Sequence, residues 1–274
     1  VKEDHRSPVV ISQIWYKAGS IDELNGTTGV AHVLEHMMFK GTKNVSSGEF
    51  SKKIAAIGGR DNAFTSRDYT GYFQQLHKSE LALAMKLEAD RMRNLILTKE
   101  EFAKEIKVVM EERRLRTDDQ PHALVYEKMM SVAYQSHPYR RPIIGWMNDL
   151  ENMSVDDAQE WYDRWYAPNN AVLVVVGDVD PKEVYSLAQK YYGEIKSRPI
   201  DSLALRKPQT EVTQAGIKRL QVKAPAQMPY LVMGYHAPVL HDANADWEPY
   251  ALEMLVGVLD GNDSARLNKE LVRE

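Results

Sequence analysis

Ala31-His32-Val33-Leu34-Glu35-His36-Met37 is the stretch on which the reading of this chain turns. Two histidines four residues apart on a helix project about 40° apart, one turn above the other, so their imidazoles can converge on one point. Glu35, three residues after His32, projects about 60° to the other side. A carboxylate there stands beside the pair, able to take a proton from a metal-bound water without being a ligand. Neutral imidazole suits Zn²⁺, and an open catalytic zinc site takes three protein ligands and a water. The order H-x-x-E-H reverses H-E-x-x-H and is the inverted zincin motif.

A third ligand has to come from elsewhere. The chain of 274 residues contains no cysteine, so thiolate ligands, thiolate nucleophiles, disulfides and iron–sulfur clusters are all excluded. His, Asp or Glu remain. Thr98 and Glu101 have capping-box spacing and open a predicted long helix towards Asp118. Glu105 and Glu112 lie two turns apart on one face of it, alongside the apolar stripe Phe102, Ile106 and Val109. Acidic groups at the edge of a buried stripe are costly unless they face a cation.

Further out, Val9 to Tyr16 reads as a strand, Val30 to about Phe39 as a helix, and Ser46 with Glu49 as a capping box opening a helix that Gly58-Gly59 ends. Arg60 to Lys78 alternates as one or two strands. Ser79 is expected to cap a helix to about Leu95, and a further helix covers His122 to Tyr134. Ser154 with Asp157 opens another, Val172 to Val176 reads as a buried central strand, and Asp180-Pro181 starts a helix ending at Tyr192-Gly193. Residues 197–216 are richer in Pro, Ser, Thr and Gln and read as a linker. Beyond it, Ile217 to Lys223 and Pro229 to Tyr235 are expected to be strands and Trp247 to Leu259 a helix, a degenerate echo of the opening unit.

With 35 Lys+Arg against 39 Asp+Glu, the net charge of −4 leaves no basic footprint for nucleic acid. No apolar run approaches the length that spans a bilayer. Both ends read as cut, Val1 running almost directly into a strand and Glu274 standing inside an amphipathic helix.

His32-x-x-Glu35-His36, then 75 intervening residues and Glu112, resembles the pitrilysin/insulinase zinc peptidases, family M16. The likeness extends to Phe39-Lys40-Gly41-Thr42, Asn62-Ala63-Phe64-Thr65-Ser66 and Glu105 to Glu112, and its pattern is nearest the short two-domain bacterial members related to mitochondrial processing peptidase. The resemblance implies an α+β fold, a mainly antiparallel β-sheet with helices packed on one face. Residues 1–196 would form the zinc-binding peptidase domain, 197–216 the linker and 217–274 the beginning of a second homologous domain. It implies one Zn²⁺ per chain held by His32, His36 and Glu112, with Glu35 as general base and Glu105 as the acidic residue that supports the site. It also implies that Asn62, Ala63, Phe64 and Thr65 form the edge on which an extended peptide pairs. The family's Arg and Tyr late in the second domain fall outside the sequence, implying a fragment short of its substrate clamp and inactive alone. By analogy the protein is periplasmic or secreted, with the cytoplasm as the alternative, and works as two facing domain pairs in one chain or in a homo- or hetero-dimer.

Two competitors are weighed against this zinc endopeptidase. S-ribosylhomocysteine lyases have a related metal motif but complete their site with a cysteine. A non-catalytic partner subunit of the same family usually lacks part of the motif, which here is whole. His5, His77, His122, His137, His236 and His241 have no partner at metal spacing and read as ordinary polar residues. The methionines, including Met37-Met38 and Met129-Met130, read as core filler, as do Trp161, Trp165 and Tyr166.

Overall fold

A computed structural model describes residues 1–198 and 210–273. They fall into two compact units, Val1–Tyr230 and Leu231–Glu274. In the first, the eight-residue strand β2 (Val9–Tyr16) alternates strictly, with Val10, Ser12, Ile14 and Tyr16 buried. This period of two is what a sheet with one covered face requires. β2 pairs antiparallel on one side with β4 (Thr70–His77) and on the other with β5 (Ala171–Gly177). β3 (Arg60–Thr65) pairs antiparallel with β4, and the two-residue β1 (Lys2–Glu3) lies parallel to β5, giving the order β1-β5-β2-β4-β3. The α+β architecture with a mainly antiparallel sheet is therefore present, and β3 is one of its edges.

The covered face is built on aromatic contacts. Tyr16 stacks on Tyr166 at 4.1 Å between ring centroids, and the hydroxyls of Tyr72 and Tyr166 share a hydrogen bond of 2.8 Å. Helix α1 (Val30–Met37) buries Val30, Ala31, Val33, Leu34 and Met37 in this core. Helices α2 (Glu49–Ala56), α3 (Leu81–Asn94), α4 (Lys99–Arg113), α5 (Pro121–Ala133), α6 (Met147–Asn152), α7 (Val155–Trp165) and α8 (Pro181–Tyr192) follow in order. Trp161, Trp165, Tyr166, Met37 and Met38 are all buried, as expected of packing residues.

Several local expectations hold at the level of single bonds. Ser154 and Asp157 form a reciprocal capping box, and the Asp180 side chain accepts from the N–H groups of Lys182 and Glu183. Gly58 (φ +74°) ends α2 in the left-handed region. Others are corrected. Gly48, not Ser46, is the N-cap of α2, and the Ser46 contribution is a backbone carbonyl accepting from Glu49. Ser79 lies in a 3₁₀ turn, Lys78–Glu80, ahead of α3. Thr98 caps α4 by accepting from the Glu101 N–H, but the Glu101 side chain turns to Lys104 and Ser47 rather than closing a box. Val172 is 45% exposed, because helices cover only one face of the sheet on which β5 lies.

The larger correction concerns Ile217 to Lys223 and Pro229 to Tyr235, which form no strand. Ile217 is 81% and Tyr235 87% exposed. A strand exists through its ladder partner, and no described strand pairs with either segment. The expected linker lies largely outside the described residues, which omit 199–209. In the second unit, a helix runs over Glu248–Asp260, one residue from its expected bounds, with Tyr250, Met254, Leu255, Val256 and Val258 all exposed.

Candidate metal centre

The chain enters α1 through Gly29 (φ +90°), a position where a side chain would also meet the Ile144 carbonyl at 2.6 Å. The first turn of a helix leaves N–H groups without partners. Here the buried Glu23 carboxylate takes two of them, accepting from Gly29 (2.8 Å) and Ala31 (3.0 Å). Burial pushes Glu23 up to about 8 even against these donors. With its apolar stripe in the core, α1 turns His32, Glu35 and His36 to one cavity of about 630 Å³.

Helix α4 crosses α1 and supplies the carboxylates. Its Phe102 and Val109 are buried, and Arg113 anchors its last turn by a bidentate pair with Glu127 (2.8 and 3.0 Å) and a bond to the Gly145 carbonyl. Glu112 Oε2 then lies 3.3 Å from His36 Nε2 and 3.9 Å from His32 Nε2. One ligand atom from each of the three residues falls within 4.8 Å of the others. A tetrahedral zinc with bonds of about 2.0–2.1 Å separates its ligand atoms by about 3.3–3.4 Å, so the donors sit close to coordination spacing. Two imidazoles and one carboxylate, with no thiolate, are a donor set that suits zinc.

Around these three, second partners fix orientation and charge. His36 Nδ1 lies 2.9 Å from Glu105 Oε1, which assigns the ring proton to Nδ1 and leaves Nε2 free to coordinate. Burial depresses the His36 ring, but the Glu105 hydrogen bond and neighbouring carboxylates outweigh it and raise it overall. Lys40 Nζ sits 2.5 Å from the other Glu105 oxygen. Burial raises Glu105, and its bonds to His36 and Lys40 reverse this to a net lowering. His32 is driven down to about 3, mainly by burial and then by His36 and Arg116, so its ring is neutral. Its Nδ1 is buried with no protein partner. Glu35 accepts a 2.5 Å hydrogen bond from Thr65 Oγ1, and burial raises its carboxyl above the usual range.

Each sequence-predicted residue can therefore be placed. His32, His36 and Glu112 come together, Glu35 stands beside them, and Glu105 touches His36 at Nδ1 without being one of the three clustered donors. Asn62, Ala63, Phe64 and Thr65 line the same cavity. Within β3, Ala63 and Thr65 pair with the inward residues Tyr72 and Thr70, whereas Phe64 packs on Trp15 at 5.0 Å and has Tyr69 at 6.2 Å. Missed by sequence reasoning were Lys40 on Glu105, Arg116 Nη1 at 2.7 Å from Glu112 Oε1, and Glu23 under α1. Arg116 was findable, since it follows Glu112 by four residues on a helical path. Met130, read as core filler, lines the cavity.

Comparison with known proteins gives the family. The family model for the insulinase family, peptidase M16, matches residues 1–146, and that for the peptidase M16 inactive domain matches residues 152–274. The chain belongs to peptidase family M16. It is 35% identical over 271 residues to the zinc protease PqqE of Helicobacter pylori, covering 98% of this chain and 60% of that one. It is 31% identical over 259 residues to an uncharacterized zinc protease of Mycobacterium leprae, covering 94% of this chain and 57% of that one. The chain thus spans little more than half the length of these relatives. Among solved structures, a protease from Helicobacter pylori superposes with a TM-score of 0.79 at 32% identity, covering 98% of this chain and 64% of that one. The periplasmic protease PqqL from Escherichia coli gives 0.69 at 26% identity, covering 78% of this chain and 24% of that one.

Proposed function

We propose that this chain is the metal-bearing part of a zinc-dependent endopeptidase acting on unfolded or short polypeptides. The carrying observation is the convergence of His32, His36 and Glu112 from two separate helices, with Glu35 beside them. One zinc ion per chain would be held by His32 Nε2, His36 Nε2 and a Glu112 oxygen. When bound, zinc supplies Lewis acidity toward a water molecule and a scissile carbonyl. Glu35 accepts the water proton and delivers it to the leaving amine nitrogen. The raised carboxyl of Glu35 suits both halves of that cycle, since a stronger acid would hold the proton too weakly. Thr65 keeps the Glu35 carboxylate aimed, and Glu105 is a positioning residue that orients His36. An extended peptide adds to the outer edge of β3, which has no strand partner among the described residues, along Asn62 to Thr65, where main-chain pairing binds substrates of varied sequence.

A non-catalytic partner subunit is the second reading, prompted by the inactive-domain match over residues 152–274. All three ligands and Glu35 lie within residues 1–146, outside that match, which favours the enzyme. The whole protein is read as pairing this unit with a second homologous domain beginning near residue 217, in one chain or in a dimer. The domain pair would complete the substrate clamp, so the chain by itself is expected to be inactive. A periplasmic or secreted location is supported by the likeness to PqqL, described as periplasmic. No helix among the described residues is long and apolar enough to cross a membrane.

Metal analysis and peptide turnover by the full-length protein test the assignment together. Glu35→Gln should retain about one zinc while losing turnover by at least about a thousandfold, and His32→Ala should lose the zinc itself. Full turnover by the Gln variant would remove Glu35 from its role.

A further inference from the structure

Four arginines, Arg67, Arg116, Arg140 and Arg141, line the cavity that opens on the candidate metal centre. Arg116 is committed to Glu112. The other three form no ion pair among the described residues, although the chain as a whole is acidic. Arg140 and Arg141 each spend one nitrogen on a backbone carbonyl, of Gln135 and of Glu23. The Arg67 guanidinium lies 5.2 Å from the centroid of the Tyr139 ring, and its Nε is buried with no hydrogen-bond partner. Tyr139 is itself held in place, its hydroxyl donating to Asp68.

Arg67 stands two residues beyond Thr65, the Glu35 partner, in the turn that follows β3. That turn is pinned by the N–H groups of Ser20 and Ile21, which donate to the carbonyls of Ser66 and Arg67. The carboxylates lining the cavity do not neutralise these three cations. Glu127 is taken up by Arg113 and Glu112 by Arg116, and Glu35 accepts from Thr65 and bonds none of the three. Arg67 and Arg141 are half-buried and Arg140 is exposed, and guanidinium donors left unspent along a concave wall are an anion-recognition surface. β3 has no further strand partner among the described residues, and its outer edge on the same cavity offers extended backbone pairing, which fits a peptide and not a polynucleotide.

We propose that Arg67, Arg140 and Arg141 make this cavity selective for acidic peptide segments, binding Asp or Glu side chains that flank the bond to be cleaved. The inference deepens the peptidase reading and rests on it for the word cleaved, but not for the binding preference. Carboxylates of the substrate accept charge-assisted hydrogen bonds from the guanidinium groups while the segment pairs along β3. Neutral segments of equal shape leave those donors unsatisfied.

The test uses full-length protein carrying Glu35→Gln and a fluorescein-labelled ten-residue peptide of Ala, Leu and Ser with two central Glu residues. The control is the same peptide with Gln for Glu. Anisotropy titration should show about tenfold tighter binding of the Glu peptide, a gap that narrows as salt rises. Arg67→Gln with Arg140→Gln should close most of the gap, and Arg67→Lys should keep part of it, with unfolding curves confirming folded variants. Equal affinity for the two peptides, which needs no arginine variant, would overturn the inference. So would a preference that survives loss of the arginines, or displacement of the Glu peptide by a twelve-residue oligothymidylate at lower concentration than by unlabelled Glu peptide. The two readings separate cleanly in the protein with Glu35 intact. A Glu-peptide preference without cleavage supports the arginine wall and refutes the peptidase, whereas cleavage of both peptides with equal affinity does the reverse.

Discussion

Two clusters of charge lie close together in the first unit, one sealed and one open. In the sealed cluster, Arg91 and Glu88 are fully buried and joined by two hydrogen bonds of 2.8 and 2.6 Å, and Gln74 donates to Glu88 at 2.8 Å. The Arg91 guanidinium lies over Phe50 and Tyr72, at 4.3 and 4.5 Å from their centroids. Charge meets opposite charge, and the rest of the surface is aromatic. In the open cluster, His32 Nε2, His36 Nε2 and Glu112 Oε2 bring acceptor lone pairs toward one another across a cavity wall. Lone pairs facing lone pairs raise the energy unless a cation lies between them. Buried charge alone thus says little about function. What separates the two clusters is whether charge is matched inside the protein: Glu88 is met by Arg91 and Gln74, and the one Arg91 nitrogen left without a hydrogen bond, Nη1, belongs to a guanidinium that lies over aromatic rings.

The largest effect should come from breaking the sealed cluster. Arg91→Leu leaves Glu88 buried without its counter-charge and should cost about 3–5 kcal/mol of stability in urea unfolding. Adding Glu88→Leu should recover much of this, because the remaining deficit is packing. The open cluster should behave in the opposite way. In metal-free protein, Glu112→Ala should change stability by no more than about 0.5 kcal/mol, since it relieves as much as it removes. A loss as large as that of Arg91→Leu would show that the open cluster is structural.

Intermediate effects belong to the residues that orient the ligands. Glu105→Gln should weaken zinc binding by about 10–100-fold in a chelator competition, because His36 loses the charged acceptor that fixes its tautomer and raises its basicity. Unchanged affinity would reduce Glu105 to a partner of Lys40. The smallest effect concerns pH. The Thr65 hydrogen bond lowers Glu35 against the larger upward push of burial. Removing it with Thr65→Val raises the Glu35 carboxyl further, so more proton is bound at a given pH and less of the base form is available. The acid limb of kcat/KM in the full-length enzyme should therefore move to higher pH, and a move to lower pH would reverse the assigned effect of Thr65.

Legibility in the sequence divided along the range of the forces involved. H-x-x-E-H was readable because one helix turn places all three side chains, and the boundaries of β2 and the Ser154 cap followed from period and hydrogen-bond chemistry within a few residues. Ser46 and Ser79 misled for the same reason, since Ser with Glu nearby marks a helix start without selecting among neighbouring caps. Segments 217–223 and 229–235 misled more deeply. Apolar alternation expresses a capacity to pair, and pairing requires a second strand.

By itself, the sequence determined the donor types, the absence of thiolate, the helix that presents His32, Glu35 and His36, and the helix face shared by Glu105 and Glu112. These follow from local geometry and from the chemistry of each side chain. Only the tertiary structure decided that α4 crosses α1 at ligand distance, that Thr65 reaches Glu35, that Glu23 closes the start of α1, and that Arg67, Arg140 and Arg141 face the same cavity. Such contacts join residues 6 to 80 positions apart. Their distances are set by how helices and sheet pack around Tyr16, Tyr72 and Tyr166, and no short-range pattern encodes that packing.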